Sequence, residues 1–239
     1  MKIEKRYIDG SYLNSNPDWD RKDATWKAKQ VFQILEDHKI DPALVCEVGC
    51  GSGDILRSLE GMLPKAQLVG YDISPQLQKF WQKNNEDINC RTEYHLGNFH
   101  QINTIRHDLL LMLDVFEHVR DPFTFLEDSL GHANKFIFHI PLDLSAISVA
   151  RESPLINVRR SVGHLHSYTK DLALETLIDC GYKIIDWRYT GASLNMSSKS
   201  IKTNLAKFPR LIAGALNKDW AVRVFGGETL LVLAEENTK

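Results

Sequence analysis

Between residues 44 and 54 a short apolar run, Leu44-Val45-Cys46-Glu47-Val48, breaks into Gly49-Cys50-Gly51-Ser52-Gly53-Asp54. No other stretch limits the fold as strongly. A run this apolar, stopped by glycines, suits a parallel strand buried on both faces. Three glycines at alternate positions let the chain turn tightly and bring its backbone close to a ligand. The spacing is not the dinucleotide fingerprint GxGxxG, whose third glycine would fall at 54, where aspartate stands. No GKS or GKT follows, so the loop is not a phosphate-binding P-loop.

Around the loop, strands and helices alternate. Trp26, Val31, Ile34 and Leu35 are spaced as one apolar face of a helix over about 24–38. After the first strand, Asp54–Leu59 reads as a helix, Gln67–Tyr71 as a strand, and Pro75–Lys83 as a helix with Ser74 as N-cap and Pro75 in its first turn. Strands are expected at Thr92–Leu96, Asp108–Leu113 and Lys135–Ile140, the last closed by Pro141. A helix near 122–130, a helix over Thr169–Cys180 ended by Gly181, and strands at Tyr182–Tyr189 and Glu228–Ala234 complete the pattern. Such alternation predicts a mostly parallel sheet with helices on both faces, and ligands at the carboxyl ends of its strands. Residues 1–40 form an N-terminal cap segment and helix. Residues 41–239 form one domain with insertions at 142–165 and 190–227, the first leaving from the ligand end as a candidate lid or substrate wall.

Composition removes several function classes. Of 239 residues, 43% are hydrophobic and 25% charged, which is the balance of a folded globular chain. Lysine and arginine total 29 against 31 acidic residues, a net charge of −2 that gives no long-range pull toward nucleic acid. Four cysteines without a CxxC pair predict a reduced, cytoplasmic protein lacking structural zinc. The start Met1-Lys2-Ile3-Glu4-Lys5-Arg6 leads into no apolar signal region, and Leu109–Leu113 and Leu230–Ala234 are too short to span a bilayer.

The glycine loop, the acidic Asp72 ending the second strand, and Asp114-Val115-Phe116-Glu117-His118-Val119 after the fourth together resemble class I S-adenosylmethionine-dependent methyltransferases. Within them the chain looks most like small-molecule enzymes with a D-x-x-E-H-V segment. The resemblance implies a Rossmann-like seven-stranded sheet in the order 3-2-1-4-5-7-6, its last strand antiparallel, and S-adenosyl-L-methionine as cofactor. It gives Gly49, Gly51 and Gly53 to the methionine and ribose side, Glu47 to the amino-acid portion, Asp72 to the ribose diol and Ile73 to adenine. Asn98, in Gly97-Asn98-Phe99, stands where many relatives carry an aspartate for the adenine amino group; Phe99 flanks it. The backbone at Leu113-Asp114 would meet the cofactor's amino group.

His118 lies where a transferred methyl would point, and its imidazole can take a proton from an acceptor hydroxyl. In Gly163-His164-Leu165-His166-Ser167-Tyr168-Thr169, His166 is a second candidate facing the acceptor; the alternative is an N-capping turn made by Ser167 or Thr169. Asp114, Glu117 and His118 are metal-capable, and some relatives with E-x-x-E-H bind a divalent cation. D-x-x-E-H is common in relatives that need no metal, and none is expected here. The expected partner is a small-molecule methyl acceptor, a sugar or other hydroxyl-bearing metabolite methylated at oxygen. The alternatives are a protein or RNA methyltransferase and a non-catalytic nucleoside-binding protein. Residues 199–223 are basic and amphipathic, open to packing on the domain, to a peripheral membrane contact or to an anionic acceptor.

Overall fold

A computed structural model describes residues 2–16, 21–88, 90–191 and 213–238. Seven strands form one sheet: β1 (Leu44–Val48), β2 (Gln67–Asp72), β3 (Thr92–Leu96), β4 (His107–Leu113), β5 (Ala133–Leu142), β6 (Tyr182–Tyr189) and β7 (Glu228–Glu236), in the order β3-β2-β1-β4-β5-β7-β6. The pairs from β3 to β5 are parallel, while β7 runs antiparallel to both β5 and β6. This is the expected order and sense.

Side chains alternate across the sheet, so the core has two layers. Cys46, Leu110, Met112, Phe136 and Phe138 point to one side, against Leu126 of α7 (Pro122–Ser129) and Ala173 and Leu177 of α10 (Lys170–Asp179). Val45, Leu109, Leu111 and Ile137 point to the other side, against α3 (Ala24–Asp37), α4 (Asp54–Met62) and Trp81 of α5 (Gln78–Asn85). The buried face of α3 is Ala24, Ala28, Val31, Ile34 and Leu35. Trp26 is not part of it. Two residues past Ala24 the helix has turned by about 200°, so its half-buried indole packs edge-on against His139 instead (ring centroids 5.9 Å).

Helices the sequence pattern missed all sit around the ligand end. They are α1 (Lys2–Ile8), α2 (Ser11–Ser15), the one-turn α6 (Phe99–Ile102), α8 (Ala146–Arg151), α9 (Ser153–Ser161) and α11 (Lys218–Phe225). The strand β5 runs through Pro141 to Leu142. Beyond His139 it pairs with β7 alone, so the missing N–H of Pro141 can face the side where β4 has already ended. Ser74 precedes Pro75 as expected but does not cap with its side chain; its hydroxyl donates to Gln76 Oε1 (2.6 Å). Thr169 caps α10, accepting from Leu172 N (3.3 Å).

Of the basic stretch 199–223, Lys199, Lys202, Lys207 and Arg210 lie outside the described residues. Within α11, Lys218 pairs with Glu228 and Arg223 with Asp171, while Asp219 takes Lys170 (2.8 Å). These ion pairs tie the helix to the domain. No helix of the described residues is long and apolar enough to cross a membrane.

Candidate active site at the carboxyl ends of the strands

The glycine loop is held from both sides. Asp72, ending β2, accepts from Gly51 N (3.0 Å) and Ser74 N (2.9 Å). On the far side Trp81 donates its indole N–H to Gly51 O (2.9 Å) and Asn84 its amide to Ser52 O (3.1 Å). Gly49 and Gly53 sit at φ +72° and +81°; a Cβ at Gly49 would stand 2.8 Å from Val115, and one at Gly53 would run into the Tyr94 ring. Both positions therefore require glycine for backbone and packing as much as for ligand approach.

Two clefts open beside the loop, of about 260 and 210 Å³. The larger is lined by Glu47, the loop, Trp26, Lys27, His139 and His164, among others. The smaller is lined by Asp72, Ile73, Asn98, Phe99 and Phe125, with Tyr7 closing it from α1. Tyr12, Gly49, Asp114 and His118 line both. His166 lines neither: its Nε2 meets Val119 O (3.0 Å), and its backbone N–H is held by Glu117 O (3.2 Å). The imidazole that lines the cleft is His164, two residues earlier.

Burial shapes the charges here. It raises the Asp72 carboxyl to about 6, against the backbone hydrogen bonds of Ser74 and Gly51. Glu47, 1% exposed, is raised by burial with Lys27 opposing, and among the described residues its Oε2 has no hydrogen-bond partner. Burial also works against the Asp114 carboxylate, yet His139 Nδ1 (2.7 Å) and Lys27 Nζ (2.6 Å) hold its pKa well below the usual range. Asp114 takes φ +56°, rare for a residue with a Cβ, and this ion-paired setting holds it there. Burial, helped by His164, lowers His118 to about 4, so its imidazole is neutral near pH 7. The amide oxygen of Asn98 already accepts from His100 N (3.0 Å) as the N-cap of α6, which leaves one of its lone pairs for another donor.

Residues 46–135 match the family model described as a methyltransferase domain. The chain carries a methyltransferase domain of the class I fold. S-adenosylmethionine is the cofactor of methyltransferases of this kind, and the clefts suit it. Glu47 keeps one buried carboxyl oxygen without a partner among the described residues, and the carboxylate of Asp72 opens to a second cleft floored by aromatic and aliphatic side chains. A search of curated proteins gives no match. Several solved structures share the methyltransferase fold at low identity. Magnesium protoporphyrin IX methyltransferase from Synechocystis PCC 6803 with bound SAH is 15% identical with a TM-score of 0.60, covering 89% of this chain and 83% of that one. A chain from the complex of the Haloferax volcanii Trm112 methyltransferase activator with a methyltransferase is 17% identical (TM-score 0.64; 97% and 96% covered). The plantazolicin methyltransferase BpumL with a desmethyl analogue and SAH is 17% identical (TM-score 0.56; 98% and 90% covered). The magnesium protoporphyrin IX and plantazolicin enzymes differ in what they methylate, so the shared fold does not decide the acceptor of this methyltransferase.

Sequence reasoning did not single out His139, Asp143 or Tyr7. A histidine in the otherwise apolar run Phe136-Ile137-Phe138-His139-Ile140 is a signal for the first, and an acid just past a strand end for the second. Tyr7 offers none, because only the fold brings it to His118.

Proposed function

We propose that this methyltransferase moves a methyl group from S-adenosylmethionine to a hydroxyl oxygen of a small molecule, such as a sugar or another hydroxyl-bearing metabolite. S-adenosylmethionine, when bound, supplies an electrophilic methyl on a sulfonium. Gly49, Gly51 and Gly53 frame its methionine and ribose side. Glu47 receives the ammonium, Asp72 holds the ribose diol, Ile73 and Phe99 pack on adenine, and Asn98 takes the adenine amino group. The Asp114 backbone also meets the ammonium, its side chain being engaged by Lys27 and His139. His118, common to both clefts, is assigned to the acceptor hydroxyl. His166 is assigned to fixing the 163–168 stretch behind it. Methyl transfer from a sulfonium asks mainly for in-line placement and removal of one proton.

The observation that supports the small-molecule reading is the size of the larger cleft. About 260 Å³, walled by the loop, Trp26, Pro141, Val162 and His164, suits a small polar molecule better than a macromolecular surface. The compartment we assign is the cytoplasm, in keeping with four free cysteines; nucleic acid has no assigned part. Calorimetric titration with S-adenosylmethionine, then mass spectrometry for S-adenosylhomocysteine over a panel of hydroxylated small molecules, tests the reading. Saturable binding and turnover on a panel member are expected. Labelled methyl incorporated only into protein or RNA would favour a macromolecular acceptor, and binding without turnover on any acceptor a nucleoside-binding role. No binding would defeat the reading outright.

A further inference from the structure

At the acceptor end, three ligand-type side chains converge from two distant segments. Glu117 and His118 lie on the 3-10 turn after β4, and His164 on the stretch returning from α9. That stretch is fastened across the turn by Glu117 O, which accepts from Leu165 N (2.8 Å) and His166 N (3.2 Å). The two imidazoles meet edge to face, ring centroids 4.8 Å apart. One donor atom from each of Glu117, His118 and His164 lies within 4.8 Å of the others, and Glu117 Oε1 stands 3.9 Å from His118 Nε2.

Two further features mark the cluster as more than a chance meeting. Glu117 is 0% exposed, and among the described residues neither carboxyl oxygen has a hydrogen-bond partner. A buried carboxyl with both oxygens unsatisfied calls for a ligand or an ion. Each histidine is also anchored through Nδ1, His118 by the Tyr7 hydroxyl (3.0 Å) and His164 by an Asp143 carboxylate oxygen (2.5 Å). Outer groups on Nδ1 that leave Nε2 to coordinate are the usual second layer of a histidine metal site. Asp114, the first acid of the segment, is not in the cluster, being engaged by Lys27 and His139.

We propose that Glu117, His118 and His164 bind a divalent cation of borderline softness, of the Zn²⁺ or Co²⁺ kind, at the acceptor end of the cleft. Two imidazoles and one carboxylate favour such ions over Mg²⁺ or Ca²⁺, which prefer oxygen donors. Ligands about 2.1 Å from a tetrahedral ion lie about 3.4 Å apart, so binding draws the three atoms together by roughly an ångström. Three protein ligands leave a coordination position facing the cleft. The consequence for the reaction rests on the methyl-transfer reading: an acceptor hydroxyl in that position would be acidified by the ion in place of activation by the His118 lone pair, giving its proton to solvent water at the open mouth of the cleft as its oxygen bonds the methyl and the sulfur–methyl bond breaks. The cation site itself does not depend on that reading.

The test titrates the full, chelator-treated chain with Zn²⁺, and with Co²⁺ as a spectroscopic probe, without cofactor or acceptor. One equivalent per chain and visible Co²⁺ absorption bands are expected. Glu117→Gln and His164→Asn should each weaken binding by about a hundredfold or more, and Asp143→Asn by about 10–100-fold, while His95→Gln on exposed β3 should change nothing. Absence of a stoichiometric ion, or affinity unchanged in both Glu117→Gln and His164→Asn, overturns the site. Should those variants misfold, X-ray absorption of the Co²⁺-loaded wild type decides: two imidazole ligands support the site, and none overturns it. S-adenosylmethionine affinity is measured in parallel. A chain that binds it but no ion defeats only the cation site, and a chain that binds the ion alone defeats only the methyl-transfer reading.

Discussion

The two ends of the cleft are built differently. At the β1–β2 end the polar groups are backbone amides and acids at strand tips, all within a few dozen residues of one another, on strands whose side chains are almost fully buried. At the acceptor end, Tyr7, His118, Asp143 and His164 come from four segments spread over more than half the chain. One of those segments is a helix, α1, and another is the loop that follows α9, both outside the strand–helix alternation. The first end is an outcome of sheet topology. The second is assembled by surface pieces that the sheet only supports.

That contrast can be broken by measurement. The largest effect should come from the scaffold: Leu111→Ala, fully buried in β4, should lower unfolding free energy by about 2–5 kcal/mol in denaturant titration. A cost below that range would mean the sheet is looser than its packing indicates. Next, Asp72→Ala should weaken S-adenosylmethionine binding by about 1.5–3 kcal/mol in calorimetry. An unchanged dissociation constant would remove that carboxylate from the site.

Acidification should sharpen the same point. In the folded chain Asp72 titrates near 6 against an ordinary 3.8, so the folded state holds a proton that the unfolded chain has lost within that window. This group's contribution to folding therefore improves as pH falls from 6 toward 3.8, while its ionised grip on a diol is lost. Cofactor affinity should drop about tenfold per pH unit below 6, and Asp72→Asn should flatten that slope. A slope that persists in Asp72→Asn would assign the titration elsewhere. The smallest effect belongs to the acceptor wall. Val158→Ala in α9, a helix with no buried residue, should shift stability by no more than about 0.5 kcal/mol. A larger loss would show that α9 is part of the folding unit and not an added wall.

What could be read from the sequence follows the same division. Buried strands announce themselves by apolar runs closed with glycine or an acid, so β1 to β7 fall within a residue or two of expectation, and Gly49, Asp72 and Asn98 line the predicted end of the sheet. The helices α1, α2 and α8 are only five to seven residues long and α9 buries no residue, so none of them carries the long core-facing stripe that marks a helix in sequence. His164 rather than His166 reaches the cleft because the Glu117 carbonyl fastens the returning stretch in one register, a long-range contact with no local signature. Trp26 was misplaced for a simpler reason, since an aromatic on an amphipathic helix looks alike whether it flanks the core or a cavity.

Four residues, Tyr12, Gly49, Asp114 and His118, are walls common to both clefts. Whatever fills one side presses on the other through shared atoms, so the two affinities cannot be adjusted independently. By thermodynamic reciprocity, an occupant that tightens its neighbour's hold is itself held more tightly in return. Attempts to re-engineer this chain for a different acceptor should therefore expect the dissociation constant of the methyl donor to move as well.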